Sequence, residues 1–123
     1  MKQTLESDIF DIKKLEKEQS DKILNILKDS NSYLTTYNQL MNIYEDIHGK
    51  RVSYIFVCQD DIQHTFIFQH LPLFARHYNI KLYKFPKGTQ KVIEKICNKK
   101  FVNIISIFKD DPITVKIEKI FLL

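Results

Sequence analysis

The chain predicts an α/β fold, a three-layer α-β-α sandwich around a central, mostly parallel sheet. Three observations carry this. Val52 to Cys58, Ile80 to Phe85 and Phe101 to Phe108 are short apolar runs rich in β-branched and aromatic residues. Stretches of helical periodicity separate them. Two glycines and three prolines are few for an all-β chain of 123 residues, which needs many tight turns.

Taken in order, residues 1–19 are charge-rich, with Leu5, Ile9, Ile12 and Leu15 at roughly helical spacing. They read as a helical N-terminal extension to a domain spanning 20–123. Ser20 is the expected N-cap of a helix carrying Ile23, Leu24, Ile26 and Leu27. Asp29-Ser-Asn-Ser32 breaks it, and a short strand is possible near 31–34. Thr35 to Asp46 predicts the next helix, closed by Gly49 as a C-cap. Val52 to Cys58 lacks clean alternation, which suits a strand covered on both faces. Ile62 to Tyr78 carries a stripe of Phe66, Ile67, His70, Leu71, Phe74 and Tyr78, which Pro72 is expected to kink or restart. Thr89 to Ile96 is a helix with Val92, Ile93 and Ile96 inward. Asp111-Pro112 opens the last helix, with aspartate as cap and proline at the first position. Strands joined by such helices are expected to be parallel, with right-handed crossovers.

The formal charge of +4 and a pI near 9.0 permit an anionic partner. Basic residues recur near element ends, at Lys50-Arg51, Lys84, Lys87, Lys91 and Lys99-Lys100, as on a phosphate-facing rim or a solvated surface. The charged start lacks the apolar core of a signal peptide, and no run is long enough to span a membrane. Cys58 and Cys97 suit free thiols of an intracellular chain, with Cys58 a buried hydrophobe.

Asn38, Asn42 and Glu45 share one helix face, with Gln39 beside them at the helix start. Amides there suit the base edges of a distorted RNA groove, or form an ordinary polar face. Lys50 and Arg51 follow Gly49 and either grip a phosphate or solubilise a turn. Lys87 and Gly88 follow a strand, where α/β proteins place ligand loops, but no nucleotide-binding P-loop is present. Lys99, Lys100 and Phe101 offer lysines for phosphates and a ring for an unstacked base; alternatively Phe101 is buried at the start of the third strand. Asp60-Asp61 invites a Mg²⁺ reading, which adjacent side chains on opposite strand faces disfavour. Asp61 is the better candidate as a helix cap or an acceptor for an RNA group. The four histidines have no zinc spacing with the cysteines. No catalytic residue, metal or cofactor is expected.

Thr36-Tyr37-Asn38-Gln39-Leu40, Asp60-Asp61, Leu71-Pro72-Leu73-Phe74-Ala75 and Ile80-Lys81-Leu82 keep an order and spacing that resembles the L7Ae/L30e superfamily of RNA-binding proteins. Phe85-Pro86-Lys87-Gly88 looks most like the Pop3/Rpp38 branch, subunits of ribonuclease P and MRP. The resemblance implies an L7Ae/L30e-like fold. It further implies a noncatalytic RNA-binding subunit that supports tRNA or rRNA processing by binding a structured, kink-turn-like RNA. Its implied RNA-contacting set is Thr36, Asn38, Gln39, Asn42, Lys50, Arg51, Asp61, Lys87, Gly88, Lys99, Lys100 and Phe101. The implied partners are structured RNA and other ribonucleoprotein subunits, with no membrane and no small-molecule substrate. The implied location is the nucleus or nucleolus, or otherwise the cytoplasm.

The family's Gly-x-Asn-Glu motif is altered at Thr36 and Gln39, and its following basic residue is Asn42. These departures favour an alternative, a protein-interaction module without RNA binding. A ribosomal or small nucleolar particle protein of the same fold is another alternative, and a small Mg²⁺-dependent nuclease is the enzymatic one.

Overall fold

The computed structural model describes residues 12–61 and 66–122. Its elements are β1 (Lys13–Lys14), α1 (Lys17–Lys28), α2 (Tyr37–Glu45), β2 (Val52–Val57), a 3₁₀ turn (Gln59–Asp61), α3 (Phe66–Tyr78), β3 (Lys81–Lys84), α4 (Thr89–Cys97), β4 (Ile104–Phe108) and α5 (Pro112–Leu122). The sheet order is β1-β3-β2-β4, and Leu34 bridges to Ser106 on the free side of β4. Where a short strand near 31–34 is possible from the sequence, the structure has this single bridge and no strand.

Two apolar layers flank the sheet. Tyr54, Phe56, Ile105 and Ile107 point into one, with Ile23 and Leu27 of α1, Ile93 of α4 and Ile117 of α5. Ile55, Val57 and Ile104 point into the other, with Leu40 of α2 and Leu71 of α3. Alternation along β2 supplies both faces. The ladder to β4 shifts register between Val52 and Tyr54, so Val52 shares a core with Ile55 only three residues away. This bulge, together with burial on both sides, hides the period in the sequence.

The structure corrects five expectations. Residues 1–11 of the extension lie outside the described residues, but 12–19 belong to the domain: Lys13–Lys14 pairs with β3, and Ile12 and Leu15 are buried. α1 accordingly starts at Lys17, where the Glu16 amide donates to Gln19 Oε1 at 3.0 Å; Ser20 is buried within the helix. Gly49 is not a left-handed C-cap. A side chain there would meet the Ile43 carbonyl at 2.8 Å, so close approach requires the glycine.

Pro72 does not restart the helix: α3 runs unbroken from Phe66 to Tyr78. Proline forfeits one backbone hydrogen bond, but Phe68, Leu71 and Ala75 anchor the helix in the core on both sides of it. Finally, β2 pairs parallel with β3 but antiparallel with β4. α4 spans only about 13 Å and returns the chain to the end of the sheet where it left. Asn98 and Phe101, both at positive φ, then reverse the direction before Ile104 enters opposite Val57.

Candidate nucleic-acid interface

The end of the sheet where β2 and β3 finish collects most of the predicted contacts. β2 runs into Cys58, whose amide donates to the Asn103 carbonyl at 3.0 Å. The 3₁₀ turn then presents Asp60 and Asp61. Asp60 Oδ1 takes Lys84 Nζ at 3.1 Å, a half-buried pair. Asp61 reaches across to the start of α4: Oδ1 accepts the Gly88 amide at 2.6 Å and Oδ2 the Gln90 amide at 3.0 Å. The cap therefore acts on α4, reached through space, with each oxygen used within the chain.

Gly88 sits at φ 93°, in the left-handed region, where no side chain is crowded but the backbone favours glycine. This bend turns the chain from β3 into α4 and leaves Lys87 exposed beside it. Asp61 supplies negative charge at the helix start, where unpaired amides concentrate positive potential. Lys87, outside that cap, remains available to an anion.

α2 starts at the same end. Thr36 is its N-cap and accepts the Gln39 amide at 3.1 Å. Gln39 Oε1 in turn accepts the Thr35 amide at 3.2 Å. This reciprocal arrangement resembles a capping box displaced by one residue. It engages the Gln39 side-chain carbonyl with the backbone, while Gln39 itself stays exposed. Asn38 and Asn42 are exposed one turn apart on α2. Thr36 thus has a local structural task at the position the motif gives to glycine.

The loop after α4 closes the rim. Lys99 Nζ donates to Thr35 Oγ1 at 3.1 Å, tying this loop to the start of α2. Lys100 is exposed. Phe101 is not part of β4: its ring is 86% exposed and its φ is 62°. A phenylalanine in this backbone region is strained. The Glu94 carboxylate, accepting the Phe101 amide, holds it there. Glu94 was not legible as a functional residue, because its partner lies seven residues on, beyond a chain reversal.

Lys50 and Arg51 lie elsewhere. The register places Val52 opposite Phe108 and Val57 opposite Ile104, so they sit at the other end of β2, about 20 Å from the rim. Arg51 donates to the carbonyls of Ile43 and Ile47 and stacks over Tyr44, closing the end of α2. Lys50 lies 5.0 Å from the Phe108 ring centre. These contacts account for both residues without a ligand.

Behind the rim the surroundings are apolar. Burial, aided by the nearby Asp61 charge, pushes the Cys58 thiol up to about 12. Burial likewise raises Tyr33, whose hydroxyl lies 3.5 Å from Cys97 Sγ. Among the described residues no group of three histidine, cysteine, aspartate or glutamate side chains is arranged to hold a metal ion. No helix among them is long and apolar enough to cross a membrane.

No family model matches the chain, and no curated protein matches it. Among solved structures it is similar to the Giardia lamblia 15.5kD RNA binding protein, with a TM-score of 0.67, 22% identity, and coverage of 87% of this chain and 88% of that one. At that identity the similarity speaks for the fold: the chain has an L7Ae/L30e-like fold, with a four-stranded, mostly parallel sheet between helical layers.

Proposed function

We propose that this protein is a noncatalytic RNA-binding subunit of a ribonucleoprotein, of the ribonuclease P/MRP kind, acting in the nucleus or nucleolus. The observation that carries the reading is the rim itself. Exposed Asn38 and Gln39, exposed Lys87 and Lys100, and an exposed Phe101 ring gather at one end of an L7Ae-like fold. Amides read base edges, lysines neutralise phosphates and the ring stacks on an unpaired base. Asp61 acts as a positioning residue that sets the Lys87-Gly88 bend. The Phe85-Pro86-Lys87-Gly88 segment supports the ribonuclease P/MRP branch.

Titration against kink-turn and ribonuclease P RNA fragments tests the reading. Binding that weakens with salt, and weakens further in Asn38→Ala with Lys87→Ala, supports it. No binding at low salt sinks it. Sequencing the RNA that copurifies with the native protein decides the particle; ribosomal or small nucleolar RNA would move it out of the ribonuclease P/MRP branch.

A further inference from the structure

Beside the rim lies an open groove of about 510 Å³, lined by Lys91, Glu94, Lys95, Asn98, Lys99 and Lys100. It follows one face of α4 as far as Lys99 and Lys100, next in the chain to the exposed Phe101, whose amide is held by Glu94 of the groove. We propose that this groove is a phosphate track, carrying the RNA strand that continues from a base stacked on Phe101. The inference rests on the RNA-binding reading and adds Lys91 and Lys95 to it.

Charge supports the assignment. Four lysines line a groove whose one acid, Glu94, accepts the Phe101 amide. None of the four forms an ion pair with an acid among the described residues; Lys99 donates to a neutral hydroxyl. Helix stability accounts for Lys95 and Lys99, which sit at the C-terminal end of α4 where cations favour the helix dipole. It does not account for Lys91, which stands in the first turn of α4, where a cation is disfavoured and the Asp61 carboxylate, not a lysine, complements the helix dipole. Lys91 and Lys95 are one turn apart and line the same groove as Lys99 and Lys100. Their placement extends the basic lining of the groove from Lys99 and Lys100 back along α4. An extended phosphodiester fits that lining, because successive phosphates need successive point charges and no fixed base geometry.

The test compares the full chain with Lys91→Gln/Lys95→Gln. The probe is a kink-turn hairpin RNA, with and without a short single-stranded extension. The double variant is expected to bind the extended RNA roughly five- to tenfold more weakly at ~0.1 M salt. Its slope of log affinity against log salt should fall by about 1.5, the counterions of two phosphate contacts. A charge-matched control, Lys116→Gln/Lys119→Gln on α5, should keep the wild-type slope, and thermal unfolding should show both variants folded. An unchanged slope on the extended RNA overturns the track and leaves the rim reading standing. A wild-type protein that binds neither RNA overturns both. Displacement of the extension by poly-glutamate as effectively as by single-stranded RNA overturns the track in favour of an acidic protein partner.

Discussion

The carboxylate of Asp61 caps a helix that begins 28 residues later: its Oδ1 accepts the Gly88 amide at 2.6 Å. Strand β2 is thereby tied to the bend after β3, and Lys87 is placed between them. Asp61→Ala should destabilise the fold by about 1–2 kcal/mol, the usual cost of a lost N-cap. Asp60→Ala, which loses a half-exposed pair with Lys84, should cost under about 1 kcal/mol. Chemical denaturation measures both. Hydrogen exchange should show lost protection at Gly88 and Gln90 only in the Asp61 variant.

Phe101 trades stability for exposure. With φ at 62°, glycine fits the backbone better than phenylalanine. Phe101→Gly should raise stability by about 1 kcal/mol. On the RNA-binding reading, it should weaken RNA affinity by about 1–3 kcal/mol, the loss of one stacked base. Denaturation and a binding titration on the same preparation would expose opposite signs. Lower stability with unchanged affinity would count against the platform.

Ser106 Oγ is fully buried and has no hydrogen-bond partner among the described residues. Its backbone groups pair with Leu34 on one side, so the strand is satisfied while the hydroxyl is not. Removing an unmatched hydroxyl costs no bond. Ser106→Ala should therefore be neutral or stabilise by up to about 1 kcal/mol. A loss of more than about 1 kcal/mol would reveal a hidden partner.

The resolved titration shifts all point one way. Burial raises Cys58 from 9.0 to about 12 and Tyr54 from 10.0 to about 12, and it raises Tyr37, Tyr44 and Tyr83 as well. The folded state holds these protons longer than the unfolded chain. Their contribution is therefore complete below about pH 9 and is lost as pH rises towards 12. Stability should be flat in this respect at neutral pH and fall by on the order of 2 kcal/mol between about pH 9 and 11. Denaturation across that range checks it; Cys58→Ala should delay the fall until the tyrosines titrate. Thiol labelling at pH 8 should leave Cys58 unmodified until the chain unfolds.

Much of the fold was legible because apolar periodicity reports burial. The runs around Tyr54, Leu82 and Ile105 became strands, and the stripes through Ile23, Leu71 and Ile93 became packed helix faces. Caps read locally were also visible: Asp111 accepts the Ile113 amide at 2.9 Å at the start of α5. Strand direction was not legible, because it depends on whether a helix runs along the sheet or across its end. The edge strand at Lys13–Lys14 was hidden for a related reason: two residues carry no period, and only the exposed edge of β3 recruits them.

For the site, the family resemblance implied twelve positions, and the sequence by itself determined that amides, lysines and an aromatic ring lie close to element ends. Only the tertiary structure decided which ends meet. It brings Thr36, Asn38, Gln39, Asp61, Lys87, Gly88, Lys99, Lys100 and Phe101 to one end of the sheet, with Asn42 one turn along α2. It sends Lys50 and Arg51 to the other end and makes Asp61 the cap of α4, a helix distant in sequence. The physical reason is range. Propensity, capping and periodicity act over a few residues, whereas the bonds joining Asp61 to Gly88, Lys99 to Thr35 and Cys58 to Asn103 close only after the sheet has set their distances.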